Sequence, residues 1–478
     1  GVVSGQAQVN SRPPIQRRAQ FVPTAHPPAE AVVEAPPKVA TYREHDDICA
    51  ESFGGSLSSH CHVDLDTGET RGVTSIFGGP LRGMDKYLGA AVGDDGCIYA
   101  IPGSAKSALK IVPKRLSASG RDEVHEIGDC RGTNGVRSSL RRNQFKWLRG
   151  VTAADSRYGD GAAIYGIPSN ANAVLKIVPR TGQVTTLSSW CEEVDGKGVF
   201  KWNPQLPGRW KWHGGVVAAN GSIYAIPACA DRVLRIIPRT GEVRLIGDEL
   251  LPGVESKWYG GLLGCDGAIY GMPHNADCIL KIVPEKDGCE DRIEFLYGTG
   301  DNALQLGGYK WHGGVAGYGG PSGKLGGVLY AVPSHANRVL RLTVETGAVE
   351  LLGTEDIDSG PLWENHWRWK PGQYKYGGAV LGPDNCVYCL PYDAYKVLKI
   401  SPSGAVELME IEPDYVDDFR CHNKWQNGFA AADGCIYAIP VSAPAILKVD
   451  SRSGRVSTVG RDIVGDGKEK WEGGVVNP

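Results

Sequence analysis

Residues 211–247 read KWHGGVVAANGSIYAIPACADRVLRIIPRTGEVRLIG. This stretch holds four short apolar runs that are separated by turn signals. The first run ends at Asn220-Gly221, and Asx-Gly between apolar runs is a strong hairpin signal. The second run, SIYAIP, is rich in β-branched and aromatic residues and ends at a proline, which lacks the N–H that a ladder needs. Since RVLRIIP and EVRLIG follow, the stretch predicts four antiparallel strands.

The same pattern recurs along the chain. Each copy begins with Lys followed by Trp or Tyr, near residues 86, 146, 211, 257, 310, 375, 424 and 470. Two further copies read KWYGGLLGCDGAIYGMPHNADCILKIVP and KWQNGFAAADGCIYAIPVSAPAILKVDSRSGRVSTVG. Four strands per unit at this period are typical of a propeller blade. Helical solenoids are excluded because the apolar runs are short and are broken by Gly or Pro.

The two ends of the chain look like parts of one further copy. A first strand alone fits after Lys470-Trp471, while DTGE at 66–69 matches RTGE at 239–242. We therefore expect an all-β fold over residues 47–478, a single β-propeller of four-stranded antiparallel blades closed by pairing of the N- and C-terminal strands. Eight blades are favoured, with seven as the alternative. Residues 1–46 are expected to form an extended, largely irregular tail.

The repeat resembles known propeller families. The order GGVVAANGSIYAIP…RVLRIIPRTG is similar to the repeats of NHL, SMP-30-like and kelch propellers. The form Lys-Trp-x-Gly-Gly…Ile-Tyr-x-Ile-Pro resembles more closely a propeller repeat of algae and other protists, mostly without assigned activity. NHL and SMP-30-like propellers usually have six blades, and x-Ile-Pro replaces the Asp that commonly follows their second-strand aromatic residue. The resemblance implies a fold and leaves the function open.

Composition narrows the classes of partner. Lys and Arg number 51 against 54 Asp and Glu, so no overall field draws the chain onto nucleic acid or an anionic membrane. No apolar stretch approaches the roughly 18 residues of a spanning helix. Thirteen cysteines are spread thinly, which favours a reducing, intracellular compartment. Arg12, Arg17 and Arg18 precede the first acid, Glu30, and favour an organelle (plastid or mitochondrion) over the cytoplasm.

If the first strand is innermost, the Lys-Trp pairs form a collar at one mouth of the channel. The structural interpretation is that each Trp wedges between blades while Lys extends to solvent. The functional interpretation is a basic-aromatic collar that grips an anion or a partner loop. The collar residues are Lys211, Trp212, His213, Lys310, Trp311 and His312, with His274 and His335 in nearby loops.

Four histidines near one mouth suggest a metal site, since neutral imidazole is a good ligand. No local cluster has zinc-like spacing, however, and hydrogen-bonded loop histidines explain the pattern as well. No Gly-x-Ser-x-Gly elbow occurs. We therefore predict no catalytic residues, no metal and no cofactor, and expect a protein that is not an enzyme.

Long insertions after the fourth strands carry aromatic and Arg residues, the usual anchors of protein interfaces. The candidate partner-binding residues are Trp363, Trp367, Arg368, Trp369, Trp202, Arg209, Trp210, Arg141 and Arg142. The function predicted from the sequence is a non-catalytic scaffold, a peripheral subunit of a large organellar complex. Two alternatives stay open: ligand binding or metal-dependent hydrolysis (a lactonase) at the channel mouth, and association with nucleic acid.

Overall fold

A computed structural model describes residues 47–50, 59–64, 70–74, 86–130, 145–159, 161–187, 210–353, 357, 374–412, 423–464 and 474–476. All of these lie in one compact unit that spans residues 42–478. The candidate partner-binding residues Trp363, Trp367, Arg368, Trp369, Trp202, Arg209, Arg141 and Arg142 lie outside the described residues, and Trp210 lies within them.

The regular secondary structure of the described residues is almost entirely β-strand. In chain order the strands begin with β1 Asp47–Ala50, β2 Ser59–Asp64, β3 Thr70–Thr74, β4 Tyr87–Val92, β5 Ile98–Pro102, β6 Ala108–Val112, β7 Glu123–Ile127, β8 Trp147–Ala154, β9 Ala162–Pro168, β10 Val174–Val178 and β11 Gln183–Leu187. They continue with β12 Trp212–Val217, β13 Ile223–Pro227, β14 Val233–Ile237, β15 Glu242–Ile246, β16 Trp258–Leu263, β17 Ile269–Pro273, β18 Ile279–Val283, β19 Arg292–Leu296, β20 Trp311–Tyr318 and β21 Leu325–Pro333. The last are β22 Val339–Thr343, β23 Ala348–Leu352, β24 Tyr376–Leu381, β25 Val387–Pro391, β26 Val397–Ile400, β27 Val406–Met409, β28 Trp425–Ala430, β29 Cys435–Pro440, β30 Ile446–Asp450, β31 Val456–Val459 and β32 Gly474–Val476.

Helical structure is confined to short turns. Within the described residues, two 3₁₀ turns span Ser156–Tyr158 and Gly300–Asn302, and helix α1 spans Arg461–Val464. Over the described ranges, no helix has the length and apolar character that crossing a membrane requires.

Strands β4–β31 form seven antiparallel sheets, each of four consecutive strands. The prediction of an all-β fold built from four-stranded repeats is therefore confirmed, and seven blades are seen. The first strands of adjacent blades contact each other from β4 through β8, β12, β16, β20 and β24 to β28, which makes the first strand the innermost one. Strands β1–β3 and β32 form a further four-stranded sheet, in which Ile48 pairs with Val476 and Ala50 with Gly474.

The core lies between neighbouring blades, and the aromatic residue of each Lys-Trp pair forms the wedge. Trp212 packs against Tyr165, Ile167 and Val174 of the preceding blade and is 1% exposed. Its indole Nε1 donates to the carbonyl of Arg232, at 2.9 Å. Burying such a ring removes a large apolar area from water while the polar N–H keeps a partner. The wedge predicted for Trp is confirmed.

In five of the seven blades β4–β31, an aspartate closes the turn between the first and second strands. In the last described blade, Asp433 accepts from the backbone N–H of Cys435 at 2.9 Å and from the hydroxyl of Tyr437 at 2.7 Å. In the second blade, Asp155 is fully buried and accepts from Tyr165, Arg157 and Lys176. These carboxylates stabilise the hairpins, as Asx turn chemistry predicts.

Candidate functional site in the central channel

The lysines of the collar do not extend to solvent. Lys211 is 2% exposed and Lys310 is 9% exposed, and equally buried lysines occupy this position at Lys146, Lys257, Lys375 and Lys424. The prediction that these lysines reach solvent was therefore wrong. Burial lowers the pKa of Lys211 to about 7 and that of Lys310 to about 8.

Backbone carbonyls of the preceding blade receive the buried ammonium groups, which is the physical reason for the correction. The Nζ of Lys310 donates to the carbonyls of His274 and Ala276, at 3.3 and 3.1 Å, and to Gly307 at 2.7 Å. The Nζ of Lys375 donates likewise to the carbonyls of His335 and Ala336. Hydrogen bonds to a charged donor offset part of the cost of burial, so these lysines fasten adjacent blades together.

The structure brings the predicted histidines together at the inner strands. The rings of His213 and His312 lie 6.2 Å apart, centroid to centroid, and Tyr259 lies between them at 3.3 and 3.9 Å. His274 is 5.9 Å from His312. The ring of His335 lies 5.7 Å from the ring of Tyr309, centroid to centroid.

Two adjoining cavities of about 480 and 330 Å³ occupy the channel on the axis of the blades. Both are lined by Arg149, His213, Tyr259, His312 and Asn427. Among the described lining residues, Arg149 is the one side chain with a fixed charge, and no carboxylate lines either cavity. The channel therefore presents a positive charge surrounded by imidazole, phenol and amide groups.

Arg149 and Asn427 stand at a backbone position that is left-handed in six of the seven described blades, Gly378 being the exception. Each first strand has a β-bulge after its Trp or Tyr, and the residue in the bulge has φ of +64° in Arg149 and +58° in Asn427. Glycine fills the equivalent position, with φ between +71° and +90°, at Gly89, Gly214, Gly260 and Gly313. A bulky residue at positive φ is a genuine outlier that costs about 1 kcal/mol or more.

The bulge residues form a tight ring. A Cβ added at Gly89 would lie 3.0 Å from the Cα of Arg149, and one at Gly260 would lie 3.3 Å from the Cα of Gly313. This close approach of the inner strands explains why glycine recurs at the bulge position. Arg149 therefore projects from the narrow wall of the channel at a position where its neighbours have no side chain.

Sequence reasoning missed Arg149, although a signal was present. The second copy reads KWLRG where others read KWHGG or KWYGG, so Arg replaces a glycine of the repeat. A departure from the repeat at a position that requires glycine is the kind of signal that marks a functional residue.

The histidines of the channel are held in the neutral state. Burial lowers the pKa of His213 well below its ordinary value, and the charge of Arg149 and the neighbouring His312 and His274 add to the effect. His312 is shifted in the same direction for the same reasons. The Nδ1 of His213 is buried and has no hydrogen-bond partner among the described residues. A buried polar atom without a partner costs free energy, which a bound ligand could recover.

The described residues do not assemble a metal site. In the described ranges no group of three His, Cys, Asp or Glu side chains is arranged to hold a metal ion. The rings of His213, His312 and His274 pack around Tyr259 rather than converging on one point. Burial raises the pKa of Cys435 to about 11, so that thiol stays protonated and unreactive.

Comparisons with known proteins bear on the fold. No protein-family model and no curated protein matches the chain. A streptogramin B lyase structure is similar at 14% identity, covering 74% of this chain and 91% of that one, with a TM-score of 0.45. A "putative 6-phosphogluconolactonase" from Bacteroides uniformis is 13% identical, covering 77% of this chain and 95% of that one, with a TM-score of 0.45. Another from Bacteroides fragilis is 11% identical, covering 78% of this chain and 96% of that one, with a TM-score of 0.45. A similarity of this degree bears on the fold alone and gives no information about an activity of this chain.

The non-catalytic scaffold predicted from the sequence is corrected. The similar structures just named are described as a lyase and as two putative lactonases. The propeller resemblance stands at the level of the fold, whereas no family finding bears on the specific repeat or on algae and other protists. The sequence left ligand binding at the channel mouth as an alternative.

Proposed function

We propose that this protein binds a small anionic ligand in the central channel of a β-propeller, with the guanidinium of Arg149 as its anion-binding group. The observation that carries the proposal is the left-handed Arg149, held at φ +64° in a ring of glycines. A guanidinium offers a planar fork of donors that suits carboxylate and phosphate. No described side chain neutralises it within the cavities.

The rest of the channel supports a ligand of modest size. The larger cavity, at about 480 Å³, has the volume of a typical small-molecule site. His213 contributes a buried Nδ1 without a described partner, and Asn427 contributes an amide. These groups can hydrogen-bond the polar atoms that surround an anionic group on a ligand.

Acid–base chemistry is a second candidate function, which the unpartnered Nδ1 of His213 favours. A neutral imidazole can accept a proton from a bound ligand, and an anion on Arg149 would raise the low pKa of His213 towards neutrality. This candidate departs from the earlier expectation that the protein is not an enzyme. Turnover that is lost in His213→Gln while anion binding persists would support acid–base chemistry.

We also propose that eight blades close the ring. The support for this is that β32 pairs with β1 and approaches both β28 and β4, the inner strands on either side of it. A sheet built from both termini removes the free edges that an open propeller would leave.

Thermal unfolding in phosphate tests the binding proposal. Wild type and Arg149→Gln are compared in phosphate and in chloride at equal ionic strength, and phosphate at about ten times its Kd should raise the wild-type Tm by roughly 1–2 °C more than that of the variant. The variant corrects for the general stabilisation that phosphate gives any protein. Equal shifts in the two proteins would contradict an anion site at Arg149.

A further inference from the structure

The mouth of the channel carries a second set of strained residues. The residue that precedes the Lys of each first strand has positive φ in the described blades, between +47° and +58°. The six residues at this position are Phe145, Trp210, Ser256, Tyr309, Tyr374 and Asn423. We call the four aromatic members, Phe145, Trp210, Tyr309 and Tyr374, the aromatic rim.

The backbone accounts for the conformation. The carbonyl of Trp210 accepts from the N–H of Cys229, and its own N–H donates to the side chain of Asn170, both at 2.9 Å. The N–H of Asn423 donates in the same way to Asp393, at 2.8 Å. Loops on two blades thus hold this residue in the left-handed region, where asparagine or glycine would be the unstrained choice.

The backbone does not account for the aromatic side chains. Asn423 satisfies the position without a ring, and large residues at positive φ are rare because of the steric cost. Four aromatic residues out of six at a strained position indicate that the rings themselves are needed. Trp210 and Tyr309 also remain 38% and 46% exposed, so burial does not offset the strain.

Two members of the aromatic rim line the same cavity as Arg149. The rings of Phe145 and Trp210 lie 4.8 Å apart and form one continuous aromatic wall of the larger cavity. Arg149, His213 and Asn427 line the same cavity at the inner strands. The cavity is therefore divided into an aromatic part at the mouth and a cationic, polar part on the axis.

We propose that the ligand carries a flat aromatic ring in addition to its anionic group, with the ring on Phe145 and Trp210 and the anion on Arg149. This inference rests on the proposed function. An aromatic face gains from stacking on Trp and Phe, which an aliphatic ring of the same size cannot match. The ligand class is an aromatic carboxylate or an aryl phosphate, since a guanidinium binds both anions.

Calorimetric titration with two matched acids tests the inference. The probes are 2-naphthoate and decahydro-2-naphthoate, which share charge and carbon skeleton and differ in aromaticity. Wild type should bind 2-naphthoate about tenfold more tightly, the order of one stacking contact. Trp210→Asn and Phe145→Asn, which keep a residue suited to left-handed φ, should reduce the ratio to about twofold or less. Tyr318→Ala, an exposed aromatic residue at the end of β20, should leave it unchanged.

The outcomes separate the two proposals. Equal affinity of wild type for the two acids, or an equal loss for both acids in Trp210→Asn, would overturn the aromatic inference while leaving the anion site intact. Failure of both acids to bind, together with equal phosphate shifts in wild type and Arg149→Gln, would overturn the proposed function itself. The Asn substitutions relieve strain, so a Tm at or above that of wild type confirms that the variants are folded.

Discussion

Arg149 occupies a backbone position that glycine fills in five of the other six described blades, and it pays for this with a left-handed φ of +64°. Replacing it by glycine removes that strain. We expect Arg149→Gly to raise the free energy of unfolding by about 1 kcal/mol and to abolish the phosphate-dependent shift in Tm. Urea unfolding with and without phosphate measures both effects.

Asn427→Gly is the matched control at the same position of the last described blade. Because asparagine tolerates the left-handed region, this change should alter stability by a few tenths of a kcal/mol at most. A loss of stability in Arg149→Gly would mean that the guanidinium serves the fold rather than a ligand.

Lys211 should make stability depend on pH. Its folded pKa of about 7 lies below the roughly 10.4 of the unfolded chain, so between these values the unfolded state binds more protons. The free energy of unfolding should therefore rise as pH increases above 7. Below pH 7 the cost of burying a protonated Lys211 is fully present. We expect Lys211→Met to remove about 1 kcal/mol of the gain between pH 7 and 8.5, measured by urea unfolding.

Lys114→Met, on an exposed turn, serves as the comparison for Lys211→Met and should leave the pH profile as it is in wild type. If Lys211→Met and wild type show the same slope with pH, Lys211 does not change its protonation between the folded and unfolded chains in this range.

At the level of single residues, sequence reasoning predicted the wedge of Trp212 and the approach of His213 and His312. It failed for the lysines, because a Lys is almost never fully buried and nothing local announces that carbonyls of another blade will receive it. Arg149 could have been found, since it breaks the repeat at a glycine.

At the level of the element, the carboxylates that close first hairpins differ in their surroundings, as Asp155 and Asp433 show. Asp155 and Lys176 are both almost completely buried, with Nζ and Oδ2 2.5 Å apart. Burial alone would raise the pKa of Asp155. Hydrogen bonds from Arg157, Lys176 and Tyr165 nevertheless hold this pKa well below its usual value. Asp433, by contrast, is partly exposed and 3.8 Å from Lys448.

We expect Asp155→Asn to cost about 3 kcal/mol and Asp433→Asn about 1 kcal/mol in the free energy of unfolding. Asp155→Asn leaves the charge of Lys176 buried beside a neutral amide, whereas solvent screens the charge of Lys448 in Asp433→Asn. Chemical denaturation of the two variants measures the difference. Equal costs would show that the turn hydrogen bonds, and not the buried ion pair, stabilise the hairpin.

The strands were predicted closely because their signals are local. SIYAIP ends at Pro227 in the structure as in the sequence, and β14 and β15 fall within RVLRIIP and EVRLIG. The bulge in the first strand was not predicted, since a Gly-Gly pair fits both a regular strand near the axis and a left-handed residue. That bulge is what aims Arg149 into the channel.

At the level of the whole molecule, the proposed ring closure depends on the three-residue strand β32. Deleting residues 474–478 removes β32 and leaves β1 without its inner partner. We expect the deletion to lower Tm by several degrees, because a free strand edge and the adjoining blade seams become exposed. Deleting residues 1–41, which lie outside the propeller unit, is the control and should leave Tm nearly unchanged. A deletion of β32 without effect on Tm would contradict closure.

The repeat predicted the propeller, but not its function. Fold information is repeated in every copy, whereas the site arises from single departures, Arg149 in one blade and His213 or His312 in others, which meet only when the blades are set around one axis. Partner proteins and an organellar location remain predictions, as do the boundaries of the tail.

A crystal of the protein soaked with 4-iodobenzoate tests the central claim most directly, because anomalous scattering locates the iodine without ambiguity. We expect a carboxylate bound by the guanidinium of Arg149, with the iodinated ring against Phe145 and Trp210. Two results would contradict this expectation. One is an empty channel with iodine bound elsewhere, and the other is an ion pair between Arg149 and a carboxylate of the chain itself.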